Sequence, residues 1–160
     1  MVLTDASMLV SKLRERGLKI ALAESCTGGL LAKLLTDVPG ASCVFDCGIV
    51  SYSNDIKHSV LGVETATLER FGAVSEQTVI EMARGVLNLS GADIGVAVSG
   101  IAGPGNEGTS KPAGLIYICV IYKDTVRTIR LENHFKENIR ENNRLSAADE
   151  AFSAVSDILD

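Results

Sequence analysis

The hydrophobic pattern of this chain alternates between a helical period and short unbroken apolar runs. In the first segment Met8, Leu9 and Leu13 recur at the roughly 3.6-residue spacing of one helix face. Thr4 precedes this face and is predicted to cap the helix, and Gly17 is predicted to end it. The chain is therefore expected to begin with an amphipathic helix.

The rest of the chain continues this alternation. Apolar or β-branched runs predict strands at residues 19–23, 43–52, 94–98, 115–122 and 125–131. Helical spacing predicts further helices over residues 30–38, 55–62 and 64–71, a longer one from Ser75 and a last one from Phe135. Asn54 is predicted to cap the helix over residues 55–62, and Lys123-Asp124 is predicted to join the last two strands into an antiparallel hairpin.

Helices that alternate with buried strands predict an α/β protein. The expected fold is a three-layer α/β/α sandwich, in which helices cover both faces of a mostly parallel sheet. The closing hairpin makes that sheet mixed rather than purely parallel. No internal repeat, low-complexity tract or linker interrupts the pattern, so residues 1–160 are interpreted as a single domain.

Composition and charge narrow the class of ligand. Hydrophobic residues make up 46% of the chain and charged residues 22%, which is typical of a soluble globular protein. The net charge of −5 argues against a nucleic-acid binder with a broad basic surface, but it is compatible with a small anion held by one or two arginines. No apolar run is long enough to span a bilayer and no signal-peptide pattern is present, so a cytoplasmic protein without a membrane partner is expected.

The four cysteines are Cys26, Cys43, Cys47 and Cys119, and none of them forms a paired C-x-x-C spacing. Because such pairs are the usual mark of a zinc site, no metal is expected. Cys43 and Cys47 lie four residues apart in a predicted strand, which separates their side chains too far for a disulfide. Reduced cysteines are therefore predicted, as in a cytosolic protein.

Residues 103–108 spell the G-x-G-x-x-G pattern of dinucleotide-binding loops. That pattern binds a pyrophosphate where it opens a helix after a strand, whereas here it leads through a loop into another strand. Thr109 also occupies the position at which a phosphate-binding P-loop requires lysine. Neither nucleotide motif is predicted to function, and His58 and His134 are interpreted as surface residues.

The segment AESCTGG, residues 23–29, places Ser25 between a strand and the glycine-rich start of a helix. A hydroxyl at this position is presented at the carboxyl edge of the sheet, where unpaired helix N–H groups can stabilise an oxyanion. A serine before a helix is also a common N-cap, and Thr27 is a second candidate for that role. Taken alone, this segment favours the cap.

The segment GIVSYSNDIK, residues 48–57, supplies Tyr52 at a strand end and Lys57 in the first turn of a predicted helix. The helix dipole disfavours a positive charge there, and together with partial burial it would lower the pKa of Lys57. A lysine of lowered pKa is a base that can activate a serine nucleophile. The alternative interpretation is an exposed lysine on a short helix.

The segment VSGIAGPG, residues 98–105, runs from a strand end into a long loop with exposed backbone N–H groups. A simple connection is the alternative, although long loops on a rigid sheet often carry binding sites. This segment and the two that hold Ser25 and Lys57 all follow strands. Because ligands bind at the carboxyl edge of such sheets, the three segments are expected to form one site.

Together these segments resemble the CinA C-terminal domain family. The motifs ALAESCTGGLLAKLLTDVPGAS, GIVSYSNDIKHSVLGV, GAVSEQTVIEMARG, VAVSGIAGPG and KPAGLIYI follow one another in the family's order over roughly residues 5–155. The family's best-known activity hydrolyses the carboxamide of nicotinamide mononucleotide to nicotinate mononucleotide and ammonia, with no metal or organic cofactor. The resemblance implies an α/β/α fold with a mixed sheet, a stand-alone form of the domain and commonly a homo-oligomer.

Matched residue by residue, the resemblance makes Ser25 the nucleophile and Tyr52 and Lys57 its activating partners. The expected contacts to a pyridine mononucleotide are Thr27, Gly28, Gly29, Asn54, Ser99, Gly100, Ala102, Gly103, Arg140 and Arg144. The chain departs from the family pattern at Asn106, where glycine is frequent, and in the arginine pair, which is shifted by one residue. A non-catalytic nucleotide-binding domain, and an amidase or esterase for another small substrate, are the alternative functions.

Overall fold

The computed structural model describes residues 5–106 and 108–160. Its helices are α1 (Ala6–Glu15), α2 (Leu30–Thr36), α3 (Asn54–Ser59), α4 (Thr65–Phe71), α5 (Glu76–Ser90) and α6 (Ile139–Leu159). Its strands are β1 (Ile20–Glu24), β2 (Phe45–Val50), β3 (Ile94–Gly100), β4 (Leu115–Tyr122) and β5 (Thr125–Glu132). A single 3₁₀ turn, Ala41–Cys43, lies between α2 and β2.

The strands form one sheet in the order β2-β1-β3-β4-β5. β1 is parallel to both β2 and β3, whereas β4 is antiparallel to β3 and to β5. Only β4 therefore runs against the other strands, which makes the sheet mixed and mostly parallel. The hairpin of β4 and β5 turns at Lys123, whose φ of 52° is left-handed. These observations confirm the predicted fold class.

Helices cover both faces of the sheet. Alternate residues of β1 face opposite sides: Ile20 and Leu22 pack into a core with α1, α2 and α6, and Ala21 and Ala23 pack into a second core with α5. Because both faces of β1 are buried, its first four residues form an unbroken apolar run rather than an alternating one. Gly85 permits the close packing of α5, since a Cβ there would lie 1.9 Å from the Leu61 carbonyl oxygen.

The first helix is predicted correctly, but Met8 was wrongly assigned to its buried face. Leu9, Val10 and Leu13 are buried, whereas Met8 is 72% exposed. The helix packs through a face that is rotated towards Val10, a choice that depends on its partners rather than on its own period. Asp5 caps the helix by accepting a hydrogen bond from the Ser7 N–H, and Thr4 lies outside the described residues.

Several other boundaries differ from the predictions, and three of them have a clear local cause. Cys43 belongs to the 3₁₀ turn, so β2 starts only at Phe45. Ser53 rather than Asn54 caps α3, because the Ser53 hydroxyl accepts from the Ile56 N–H. The last helix starts after Asn138, whose left-handed φ of 45° separates it from the segment that begins at Phe135.

All four cysteines are free thiols, and no described helix is long and apolar enough to cross a membrane.

Candidate active site

Three strand ends meet at one edge of the sheet, because β1, β2 and β3 are adjacent and parallel. The Ser25 N–H donates to the Val98 carbonyl at 3.0 Å, and the Ser51 N–H donates to the Glu24 carbonyl at 2.8 Å. These bonds continue the sheet one residue beyond β1 and β2. The segments that follow the three strands border a cleft of about 270 Å³.

The structure brings Ser25 and Lys57 into direct contact. Lys57 Nζ lies 3.0 Å from Ser25 Oγ and donates to the Ser51 carbonyl at 2.6 Å. Both side chains are buried, with 8% of Ser25 and 1% of Lys57 exposed, and both line the cleft. A serine hydroxyl within hydrogen-bond distance of a buried amine is the arrangement of a nucleophile and its base.

Burial lowers the pKa of Lys57 from 10.5 to about 8, because the ammonium form loses hydration. The direction and the predicted contribution of burial agree with the sequence analysis, whereas the predicted contribution of a helix N-terminus does not. Lys57 lies in the last turn of the six-residue helix α3 rather than in its first turn. Desolvation by the surrounding structure, and not a helix N-terminus, makes this lysine a usable base.

Cys26 is a second potential nucleophile, since it follows Ser25 and lines the same cleft. Burial raises the pKa of the Cys26 thiol to about 12, so the thiol stays protonated at neutral pH. Because the thiolate is the nucleophilic form of cysteine, burial makes Cys26 a poor competitor of Ser25.

Tyr52 lines the mouth of the cleft rather than its base and is 62% exposed. Its hydroxyl accepts a hydrogen bond from Arg140 Nη2 at 3.0 Å, and Arg140 Nη1 donates to the Gly103 carbonyl at 2.9 Å. No hydrogen bond joins the Tyr52 hydroxyl to Ser25 or Lys57 in the described part of the chain. Arg140 thus ties the β2 strand end to the loop after β3.

The start of α2 is occupied by a carboxylate of the protein itself. The side chain of Glu24 accepts hydrogen bonds from the N–H groups of Gly29, Leu31 and Ala32 at 3.0, 3.2 and 2.9 Å. The Gly28 N–H donates to the Ser25 carbonyl at 3.1 Å. The N–H groups of Gly28 and Gly29 were expected to face a substrate. Both instead donate hydrogen bonds to acceptors within the protein.

Glu24 was missed by the sequence analysis, although one signal for it exists. A carboxylate shortly before a helix is favourable beside the positive end of the helix dipole. Glu24 stands five residues ahead of Gly29, which is farther than a usual cap, and the connecting turn brings it back. Gly28 and Gly29 permit that turn through φ values of 58° and 96°.

Helix α6 is hydrogen-bonded to the loop after β1 and to the loop after β3. Arg144 Nη2 donates to the Thr27 carbonyl at 2.7 Å, and Asn143 Nδ2 donates to the Ala102 carbonyl at 2.8 Å. Thr27 and Asn143 are buried, with 0% and 1% exposure. Asn143 was also missed; the available signal is a polar residue on the buried face of the last helix.

The cleft is lined by some of the predicted site residues and not by others. Those that line it are Ser25, Tyr52, Lys57, Ser99, Gly100, Ala102 and Arg140. The residues that lie outside its lining are Thr27, Gly28, Gly29, Asn54, Gly103 and Arg144. Ser99 also donates to the Ala73 carbonyl at 2.8 Å, which attaches the end of β3 to the segment before α5. In the described ranges, no cluster of three or more His, Cys, Asp or Glu side chains is suited to hold a metal ion.

A model of the CinA C-terminal domain family matches residues 4–159. The chain belongs to this family. It is 60% identical over 111 residues to a CinA-like protein of Chlorobium limicola, an alignment that spans 69% of this chain and 26% of the relative. It is 50% identical over 136 residues to the nicotinamide-nucleotide amidohydrolase PncC of Enterobacter agglomerans, covering 85% of this chain and 82% of that protein.

Solved structures of the family have the same fold. The crystal structure of the competence/damage inducible protein CihA of Agrobacterium tumefaciens superposes with a TM-score of 0.88 at 38% identity, and the match covers 100% of both chains. The resemblance found in the sequence motifs is thereby confirmed. The chain spans about a third or less of the length of several of the curated CinA relatives it matches, for example 35% of a putative competence-damage inducible protein of Caldanaerobacter subterraneus.

Proposed function

We propose that this protein hydrolyses the carboxamide of nicotinamide mononucleotide to nicotinate mononucleotide and ammonia, with Ser25 as the nucleophile. The observation that carries the mechanism is the buried Lys57 Nζ, 3.0 Å from Ser25 Oγ at the base of the cleft. The choice of substrate is supported by the 50% identity to a nicotinamide-nucleotide amidohydrolase over most of both chains. The reaction needs no metal or organic cofactor in this mechanism.

In the first half of the reaction, neutral Lys57 takes the proton of the Ser25 hydroxyl while Oγ attacks the amide carbon. The C–N bond then breaks, and the proton on Lys57 passes to the departing ammonia. This leaves a nicotinoyl ester on Ser25 and a neutral lysine. In the second half, Lys57 takes a proton from water, the hydroxide attacks the ester, and the acid is released as the proton returns to Ser25 Oγ.

The negative charge that develops on the carbonyl oxygen needs N–H donors near Ser25. The N–H groups at the start of α2 are unsuitable because Glu24 accepts three of them. Cys26 and Ala102 line the cleft, and their N–H groups have no backbone acceptor among the described residues. We assign the oxyanion to these two groups.

At the mouth of the cleft, we assign Arg140 to the phosphate of the substrate. The guanidinium of Arg140 lines the cleft, whereas Arg144 is directed to the Thr27 carbonyl outside it. The contact of Tyr52 with Arg140 supports a role for Tyr52 in orienting this arginine. The Tyr52 hydroxyl keeps its own proton in this contact, but a relay to the departing ammonia would require the hydroxyl to approach the amide, since it has no hydrogen bond to Ser25 or Lys57 among the described residues.

Changing Arg140 to Ala is expected to raise KM for nicotinamide mononucleotide about tenfold or more, because a charge-assisted hydrogen bond contributes about 1.5–3 kcal/mol. KM for the unphosphorylated riboside should change little. Steady-state ammonia release with both substrates measures the difference. Arg144→Ala is the matched control one helical turn away, and it should lower the unfolding temperature without this phosphate-dependent effect. Equal KM increases for both substrates would contradict the assignment.

Ammonia release from a panel of amides tests the function itself. The panel comprises nicotinamide mononucleotide, its riboside, free nicotinamide and simple aliphatic amides, with product acids identified by mass spectrometry. We expect the mononucleotide to have the highest kcat/KM. Thermal stabilisation by the mononucleotide without any turnover would identify a binding domain instead, and preference for another amide would replace the substrate.

The same proposal places the protein in the cytoplasm as a homo-oligomer. Its support is the family resemblance together with apolar side chains exposed beside the site. Val50, Ile56 and Val60 are 48%, 40% and 41% exposed on the edge strand β2 and on α3 with its cap. A second copy of this chain is the occupant that such an edge would suit.

A further inference from the structure

Glu24 is a buried carboxylate next to the nucleophile. It is the last residue of β1, directly precedes Ser25 and is 1% exposed. Its two carboxylate oxygens accept hydrogen bonds from the N–H groups of Gly29, Leu31 and Ala32. Three charge-assisted bonds and the positive end of α2 offset the cost of burying the charge.

These bonds close the turn that presents Ser25. The turn leaves the sheet after Glu24 and returns to α2 at Gly29, and the Glu24 carboxylate joins the two ends. Inside the turn the Gly28 N–H donates to the Ser25 carbonyl. The position of Ser25 Oγ is therefore determined by a loop whose entrance and exit are fixed to each other.

The backbone of Glu24 is also hydrogen-bonded to the segment that positions Lys57. Its carbonyl accepts the Ser51 N–H at 2.8 Å, and the Ser51 carbonyl in turn accepts Lys57 Nζ at 2.6 Å. Glu24 thus contacts the segment of the nucleophile through its side chain and the segment of the base through its main chain. A displacement at this residue changes the distance between Ser25 Oγ and Lys57 Nζ from both sides.

We propose that Glu24 is a positioning residue, whose carboxylate holds the α2 start against β1 so that Ser25 Oγ stays within hydrogen-bond distance of Lys57 Nζ. The proposal rests on the function proposed for Ser25 and Lys57. It requires a carboxylate rather than an amide, because three N–H donors converge on two oxygens. In Glu24→Gln one oxygen becomes an NH₂ donor that faces an N–H group, so at least one bond is lost.

The test measures the reactivity of Ser25 without using the substrate. An alkyl fluorophosphonate reacts with an activated serine: the Oγ–P bond forms, the P–F bond breaks, fluoride leaves and the serine proton passes to Lys57. Labelling rates of wild type, Ser25→Ala and Glu24→Gln are followed by intact mass from pH 6 to 10.5. Each rate is divided by the folded fraction, and ammonia release is measured in parallel.

The matched control is Glu81→Gln. Glu81 lies within α5, and its carboxylate reaches the start of α4, where it accepts the Glu64 N–H at 2.9 Å and the Thr67 hydroxyl at 2.7 Å. Glu81 lies outside the cleft lining. It reproduces the loss of a carboxylate cap without touching the turn of Ser25.

We expect Glu24→Gln to lower the labelling rate and kcat about tenfold or more, as misplacement of a catalytic pair does. The midpoint of the pH profile should also rise, because a displaced Lys57 regains water and its pKa moves back towards 10.5. Glu81→Gln should keep the wild-type rate and midpoint. A lowered rate with an unchanged midpoint of the pH profile would indicate a purely structural role for Glu24 and would contradict the proposal.

A wild-type rate and midpoint in folded Glu24→Gln would overturn the proposal. Should this variant fail to fold, Glu24→Asp replaces it, since the shorter carboxylate keeps the charge but cannot reach all three N–H groups; the same changes are expected. If neither variant folds, Glu24 is a folding residue and the proposal is rejected. Absence of Ser25 labelling in the wild type would instead refute the proposed Ser25–Lys57 mechanism.

Discussion

Replacing Ser25 with Ala is expected to lower kcat for nicotinamide mononucleotide by at least about 10⁴-fold, because the variant cannot form the acyl intermediate. Binding should be retained within about threefold, since the removed hydroxyl contacts Lys57 rather than the distal end of the cleft. Ammonia release measures the first quantity, and isothermal titration with the nucleotide measures the second.

Ser90→Ala is a matched control for this substitution. Its hydroxyl donates to the Val86 carbonyl at 2.7 Å near the end of α5, outside the lining of the cleft. Its loss should affect stability slightly and kcat not at all. The nucleophile assignment would be abandoned if Ser25→Ala kept near wild-type turnover, and Cys26 would then have to be considered despite the raised pKa of its thiol.

Replacing Lys57 with Met is the second change with a large expected effect. Met retains much of the buried volume but no proton acceptor, so kcat should fall about 10³-fold, within the range for loss of a general base. In the wild type, kcat/KM should rise with pH to a plateau above about 8, where the amine is neutral. That rise should be absent from the residual activity of Lys57→Met.

The lowered pKa of Lys57 also links stability to pH. In the folded protein the pKa of Lys57 is about 8, below the value of 10.5 for a hydrated lysine. Between these values the unfolded chain binds the proton and the folded protein does not, so the free energy of unfolding rises with pH. The lowered pKa of Lys57 contributes about 3 kcal/mol to this rise. That contribution is fully present above pH 10.5 and is lost as the pH falls through about 8.

Urea unfolding of wild type and Lys57→Met from pH 7.5 to 10.5 measures this contribution. The difference between the two stability curves should grow in favour of the wild type as the pH increases. Lys33→Met, which removes an exposed lysine paired with Asp37 on α2, is the control and should show no such growth. Parallel curves for wild type and Lys57→Met would show that Lys57 is not desolvated.

The element order could be predicted because it depends on local period and on turn residues. The start of α5 after its cap Ser75 and the hairpin at Lys123 are examples in which a cap or a short connection identifies the boundary. Met8 was misassigned because two neighbouring helix faces are almost equally apolar, and only contact with α6 and the sheet selects between them. Asn54 was misassigned because Ser53 and Asn54 are both good caps.

The candidate site was only partly accessible from the sequence. Ser25 and Lys57 belong to segments that follow adjacent strands, so their convergence could be expected. Arg140 and Arg144 could not be distinguished, because they lie one turn apart on one helix. The packing of α6 directs Arg140 to Tyr52 and Gly103 at the cleft and Arg144 to the Thr27 carbonyl outside it.

The sequence by itself determined the alternation of helices and strands, the mixed sheet and the family, because these follow from local periodicity and from motif order. Tertiary structure alone decided the chemical state of the site. The pKa of Lys57 falls because side chains distant in sequence remove its water, and the donors at the start of α2 are occupied because the turn returns them to Glu24. Both effects depend on groups brought together across the fold, which no local pattern records.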